Sequence, residues 1–246
     1  MLGGSSFGAV QSAAIDAFAA QLRSRGVTDA ETVKTLPWSI SPTDVESGTW
    51  CVDDENLGPM PLPASLDLLQ IAGPRGSGKS TALWRSVECL TETFDSIDLF
   101  TAKPPALSPP NNWNVWQPAT EGAADRLTEL TTGSGNRLVL FDDLGPLTES
   151  AVSMQVEELI RHARTPGLTV FLTIENVDGR SSFRPVIREV RSYRTSLMLR
   201  PDALADGEIS GIELPRMKTH MWPAGRGFLV IGNSSRLVQI VASEHG

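Results

Sequence analysis

Between the apolar run LDLLQIA and the helix-favouring run KSTALWRSVECLTETF lies the segment IAGPRGSGKST, residues 71–81, with glycines at 73, 76 and 78 and a lysine directly after the third. Glycine admits backbone conformations closed to other residues, so a chain this rich in it can curl until successive N–H groups converge on one point. A helix that starts there adds the partial positive charge of its N-terminus. The stretch therefore predicts a buried strand, a tight anion-cradling loop and a helix, in that order.

The spacing from Gly73 to Ser80 fits GxxxxGK[ST], a loop that wraps nucleotide phosphates. On this reading Gly73, Pro74, Arg75, Gly76, Ser77, Gly78, Lys79, Ser80 and Thr81 bind ATP. Lys79 offers a compact ammonium to the β- and γ-phosphates, and the Ser80 hydroxyl is a ligand for Mg²⁺. Magnesium also needs a carboxylate, and RLVLFDD (137–143) supplies one at the end of a second apolar strand: Asp142 is the metal-side candidate. Asp143 is the candidate to orient or deprotonate the attacking water; capping the helix near Leu147 is the other reading of it. Glu175 and Asn176, in TIENVDGR after LTVFLTI, are candidates to sense the γ-phosphate or water, or else turn formers.

From Asp67 onward strand-like and helix-like runs alternate, which predicts an α/β fold with a mostly parallel sheet and helices on both faces. Five strands are expected at LDLLQIA, SIDLFTA, RLVLFDD, LTVFLTI and TSLMLR, with a short one near Val115. The phosphate loop and the Asp142 strand suit the additional-strand class, order 5-1-4-3-2. Helices are expected at 11–23, in GAADRLTELTT, over 149–164 with Val152, Val156, Leu159, Ile160 and Ala163 on one stripe, and in SSFRPVIREVRS. The tail GRGFLVIGNSSRLVQIVAS reads as a hairpin about Gly232-Asn233. Small edge strands are expected in WCVDDENLGPMPLP. One domain spanning 1–246 is expected, with a helical and β lead-in at 1–66, the core at 67–200 and a closing β segment at 201–246.

Charge and composition narrow the partners. A formal net charge of −8 opposes the positive field needed along duplex DNA, so no nucleic-acid partner is expected. Cys51 and Cys89 are far apart and outside any CxxC, so neither a disulfide framework nor a zinc site is indicated, which suits a reduced, cytoplasmic setting. His162, His220 and His245 are scattered without metal-ligand spacing. No apolar run is long enough to cross a bilayer, so any membrane association is indirect. Arg180, Arg184, Arg188, Arg191 and Arg194 form a set, three of them spaced to share a helix face; one could act on a neighbouring subunit, and a solvated face is the alternative. Trp113, Trp116, Trp222, Phe228 and Leu229 are candidates to line an apolar pocket.

These elements in this order resemble the FtsK/SpoIIIE-type motor ATPases, and most closely the C-terminal ATPase module of the EccC/EssC family of type VII protein secretion. The resemblance runs from about Leu36 to the end. It rests on LPWSI, DDENLGPMPLP, IAGPRGSGKST, RLVLFDDL, LMLRPDALADGEISGIELPR and PAGRGFLVIGNSSRLVQIV. It implies a RecA-like P-loop core that binds ATP and Mg²⁺ and works with other ATPase modules or subunits, as in a hexameric ring. It also implies recognition of a WXG100-type secreted substrate through its C-terminal tail, at the inner face of the cell membrane. Two departures, Asp143 where glutamate is usual and TIENV where DNA translocases carry a TQRP-like segment, imply weak or conditional hydrolysis. A DNA translocase and a non-hydrolysing ATP-bound recognition module are the alternatives.

Overall fold

The computed structural model describes residues 7–28, 34–63, 66–90, 93–105, 108–180, 184–201, 204–215 and 217–244. Its contacts divide the chain into two compact units, Met1–Thr35 and Leu36–Gly246. The first unit carries helix α1 (Phe7–Ser24), somewhat longer than the expected 11–23.

The second unit is built on one ten-stranded sheet. Its strands are β1 (Thr49–Asp53), β2 (Pro59–Pro61), β3 (Leu68–Ala72), β4 (Ser96–Thr101), β5 (Asn114–Trp116), β6 (Arg137–Asp142), β7 (Leu168–Ile174), β8 (Thr195–Leu199), β9 (Arg226–Ile231) and β10 (Ser234–Ile240). They stand in the order β2-β1-β10-β9-β8-β3-β7-β6-β4-β5. The long parallel strands β3, β4, β6, β7 and β8, taken as 1 to 5, occupy the middle as 5-1-4-3-2. The whole sheet goes further than those five. β5 pairs in parallel outside β4, and β9, β10, β1 and β2 continue antiparallel beyond β8.

That extension has a plain cause. An uncovered β8 edge would leave unpaired backbone groups, and the apolar runs at both ends of the unit supply strands to satisfy them. β1, expected as a small edge strand, is therefore buried along its whole length. The sheet ends instead at β2, where Pro59 and Pro61 lack the N–H that another strand would need. At the other terminus of the unit, β9 and β10 are joined through Gly232-Asn233, with Ile231 opposite Ser234.

Helices cover both faces. Leu69, Ile71, Leu138, Leu140 and Phe171 pack on Ala82 and Leu83 of α2 (Lys79–Glu88). Leu68, Val139, Phe141, Val170 and Leu172 face α3 (Ala123–Thr132), α5 (Ser153–Arg161) and α7 (Pro185–Ser192), and the stripe from Val152 to Ala163 is buried there. Successive strand residues serve opposite faces, which is why these strands read as continuous apolar runs.

The helix expected over 149–164 is shorter than its pattern. Two short helices, α4 (Leu144–Leu147) and α6 (Asn176–Gly179), follow β6 and β7. Between α4 and α5 the Ser150 hydroxyl donates to the Leu147 carbonyl and accepts from the Val152 N–H, a local turn that competes with helix. Likewise α2 stops at Glu88, with the Cys89 N–H capping onto Arg85; residues 91–92 of that expected helix and 181–183 before α7 lie outside the described residues.

Candidate functional site

The carboxyl ends of β3, β4, β6 and β7 bound a cleft of about 430 Å³, where open α/β sheets bind ligands. One wall is the glycine-rich loop. Gly76 has φ 74° and Gly78 φ 96°, the second at the N-cap of α2, so the helix starts directly at the cleft. Arg75, Gly76, Gly78, Lys79, Ser80 and Thr81 line it. Gly73, Pro74 and Ser77 complete the loop behind them, and the Ser77 hydroxyl is buried without a partner among the described residues.

Lys79 folds back on its own loop, its Nζ donating to the Gly73 carbonyl at 2.9 Å and the Pro74 carbonyl at 3.1 Å. Burial lowers its pKa, and the carboxylates of Glu175, Asp143 and Asp142 oppose that effect. An anion in the cleft would give this ammonium a better partner than two neutral carbonyls.

Opposite the loop, Asp142 at the end of β6 accepts from the Ser80 hydroxyl at 3.1 and 3.3 Å. The sequence separates these two residues widely and the fold places them in contact. Among the described residues no group of three or more His, Cys, Asp or Glu could hold a metal ion by itself. Magnesium is commonly held by one or two protein oxygens with the rest of its shell from phosphates and water. Ser80 and Asp142 are such a pair, so the donor set fits a triphosphate with its divalent ion.

Asp143 occupies the N-cap position of α4 but its side chain makes no capping hydrogen bond. Its backbone is left-handed, φ 70° and ψ 75°, a conformation costly for a non-glycine residue. Its Oδ1 is buried and unpartnered among the described residues. Burial raises its pKa first and Glu175 adds to the rise; Lys103 and Lys79 oppose it. An acid in this state can accept a proton more readily than an ordinary aspartate.

Glu175 lines the cleft, whereas Asn176 does not. The Asn176 amide instead donates to Asp206 at 2.8 Å in a buried cluster that includes Arg180. The arginines are similarly dispersed. Arg184 donates to Thr148 and pairs with Glu149, Arg191 donates to the Gly179 carbonyl, and Arg194 donates to Asn233. Arg188 is exposed on α7. The aromatic candidates do not converge on one pocket: Trp113 stacks on Trp84, Trp116 packs against Phe100, Trp222 tilts against Phe228, and Leu229 faces the opposite side of the sheet. The alternation of strand residues splits Phe228 from Leu229.

Three contributors escaped the sequence reading. Thr173, wholly buried on β7, donates to Asp142 Oδ1 at 2.9 Å and accepts the Asp143 N–H at 2.8 Å. Its signal was the second of two hydroxyls, near the end of a strand otherwise apolar. Lys103 lies just past β4 on the cleft wall; the strand order already required that segment to border the Asp142 strand. Finally, the turn before β9 backs the phosphate loop, with the Gly225 N–H donating to Ser77 at 2.8 Å and Arg200 donating to Gly76 at 3.2 Å.

A larger hollow of about 780 Å³ opens at the amino ends of β3 and β7, lined by residues including Leu62, Leu66, Leu90, Phe94 and Phe171. The Cys89 thiol on its wall is pushed by burial up to about 11 and stays protonated. No helix of the described residues is long and apolar enough to cross a membrane.

No family model matches the chain, and no curated protein does. Solved structures do. The cytoplasmic domain of the type VII secretion ATPase EccC from Thermomonospora curvata superposes with a TM-score of 0.69 at 18% identity, over 88% of this chain and 29% of that one. ATPases 2 and 3 of the same EccC, in complex with a signal sequence peptide, give 0.65 at 20% identity, over 88% and 45%. ATPases 2 and 3 of EssC from Geobacillus thermodenitrificans give 0.64 at 15% identity, over 98% and 51%. The chain thus spans about half or less of each of these structures. With its phosphate loop, central strand order and flanking helices, it has the fold of a P-loop ATPase domain of the EccC/EssC type.

Proposed function

We propose that this chain is an ATP-binding module of a type VII protein secretion motor, with weak or conditional hydrolysis of ATP to ADP and phosphate. The single observation that carries the reading is the Ser80–Asp142 contact across the mouth of a glycine-rich loop, with Lys79 beside it. Bound magnesium would supply charge neutralisation on the phosphate oxygens.

The chain's own residues do the rest. Loop amides and the α2 N-terminus orient the phosphates, and Lys79 exchanges its loop carbonyls for them. Thr173 fixes Asp142 and the Asp143 backbone, while Asp143 and Glu175 face the space where water would attack. Asp143 is shorter than the usual glutamate and held in a strained backbone, which favours slow turnover.

Titration of the purified chain with Mg·ATP tests the reading. Binding in the micromolar to millimolar range that Lys79→Ala abolishes is expected; binding indifferent to that substitution rejects it. Asp143→Glu distinguishes a weak ATPase from a non-hydrolysing module, since a gain in turnover identifies a competent site limited by that side chain. Work alongside further ATPase modules or subunits, recognition of a WXG100-type substrate through its tail and a place at the inner face of the cell membrane belong to the same proposal. The signal sequence peptide bound by the T. curvata EccC ATPases supports the recognition part. Co-purification with a small helical partner through its C-terminal peptide would test it.

A further inference from the structure

We propose that Lys103 is the outer cation of the phosphate site, across the cleft from Arg75 and Lys79, and the residue that distinguishes a nucleoside triphosphate from a diphosphate. The inference rests on the nucleotide reading above. The cleft has cations on both sides, Arg75 and Lys79 on the loop wall after β3 and Lys103 alone on the wall after β4. The two lysines differ in their surroundings. Lys79 is already bonded to two carbonyls, whereas no hydrogen bond or ion pair links the Lys103 ammonium to another group among the described residues.

The Lys103 backbone is nevertheless fixed. Thr101, the last residue of β4, donates its hydroxyl to the Lys103 carbonyl at 2.6 Å and accepts the Lys103 N–H at 3.4 Å. Pro104 and Pro105 narrow the conformations of the residues before them. Thr101 is also in register with Asp142 on the adjacent strand, so the turn that carries Lys103 rises beside the metal-side carboxylate.

The order of elements gives the selectivity. A ligand held by the loop amides, with Ser80 and Asp142 holding its divalent ion, would extend its terminal phosphate toward the β6 side of the cleft. The next strand outward is β4, which ends at the Lys103 turn. A diphosphate satisfies the loop and Lys79 and leaves Lys103 in solvent. A triphosphate gives that exposed cation an anion to meet, and a lysine acts there as a mobile point charge.

Calorimetric titration of the 246-residue chain with Mg·ATPγS and with Mg·ADP tests this. Lys103→Ala is expected to weaken Mg·ATPγS by about tenfold and Mg·ADP by less than about twofold, with Lys103→Arg keeping most of the triphosphate preference. Equal losses for both nucleotides would reduce Lys103 to general attraction of anions, and no loss for either would remove it from the site; both results overturn the proposal. A wild-type chain that binds neither nucleotide overturns the nucleotide reading itself and shows this before any variant is made. Because Lys103 is exposed, its substitution leaves the fold intact, and an unchanged melting temperature without nucleotide verifies that.

Discussion

The Ser80 hydroxyl on the first turn of α2 donates to both carboxylate oxygens of Asp142 at the end of β6, at 3.1 and 3.3 Å. Two elements far apart in the chain are thereby joined where a divalent ion would sit. Replacing either oxygen donor should cost the metal more than the nucleotide. Ser80→Ala and Asp142→Asn are each expected to reduce the gain in ATP affinity on adding Mg²⁺ by about tenfold or more, leaving metal-free binding nearly unchanged; titrations with Mg²⁺ and with EDTA give the comparison.

Thr173 bridges Asp142 and the backbone of Asp143 with one buried hydroxyl. Thr173→Val keeps the shape, strands the Asp143 N–H and leaves Asp142 Oδ1 with Ser80 alone, so it should destabilise the chain by about 1–3 kcal/mol. Thr173→Ser should lose much less. Chemical denaturation of both variants measures the difference, and a larger loss in Thr173→Ser than in Thr173→Val would make the methyl group, rather than the hydroxyl, the stabilising part.

Asp143 supplies a pH dependence. Burial raises its folded-state pKa above the ordinary aspartate value, so the unfolded chain gives up this proton at lower pH than the folded chain does. The contribution of Asp143 to stability is therefore fullest below the unfolded value, about 3.9, and is lost as pH rises through the raised folded value. Asp143→Asn should raise the melting temperature at neutral pH in EDTA, with a gain that shrinks as the pH is lowered through that window. A gain that stays constant with pH would locate the effect in the backbone instead.

Gly78 meets the turn that backs the loop. A Cβ there would stand 2.9 Å from the Gly225 nitrogen, and its φ of 96° disfavours any side chain. Gly78→Ala should destabilise the chain by about 2 kcal/mol or more and weaken phosphate binding with it, measured by thermal unfolding and nucleotide titration. Gly76→Ala, with φ 74° but open space around its Cβ position, should lose less stability.

Asp98, wholly buried on β4, accepts a two-pronged contact from Arg126 at 2.9 and 2.9 Å and the Trp116 indole N–H at 3.0 Å. Arg126→Met leaves that charge without its cation, and a loss of about 3 kcal/mol is expected. Asp98→Asn combined with Arg126→Met should recover part of it. Denaturation of the single and double variants gives the coupling.

Sequence by itself determined the phosphate loop, the buried strands and the central order of the sheet. Glycine spacing and apolar periodicity are local properties, and a strand that feeds a glycine-rich turn and a helix has few folds open to it. It also marked Asp142, because that residue ends an apolar strand. Tertiary structure decided what those residues face. Glu175 and Asn176 are neighbours in sequence, yet the start of α6 leaves one on the cleft and turns the other into the Asp206 cluster. β1 and β2 became part of the main sheet because the β8 edge needed backbone partners, which no local pattern announces. Thr173 and the turn at Gly225 act through contacts between distant segments. Such contacts follow from how strands stack and turns close, so they become readable only once the chain has folded.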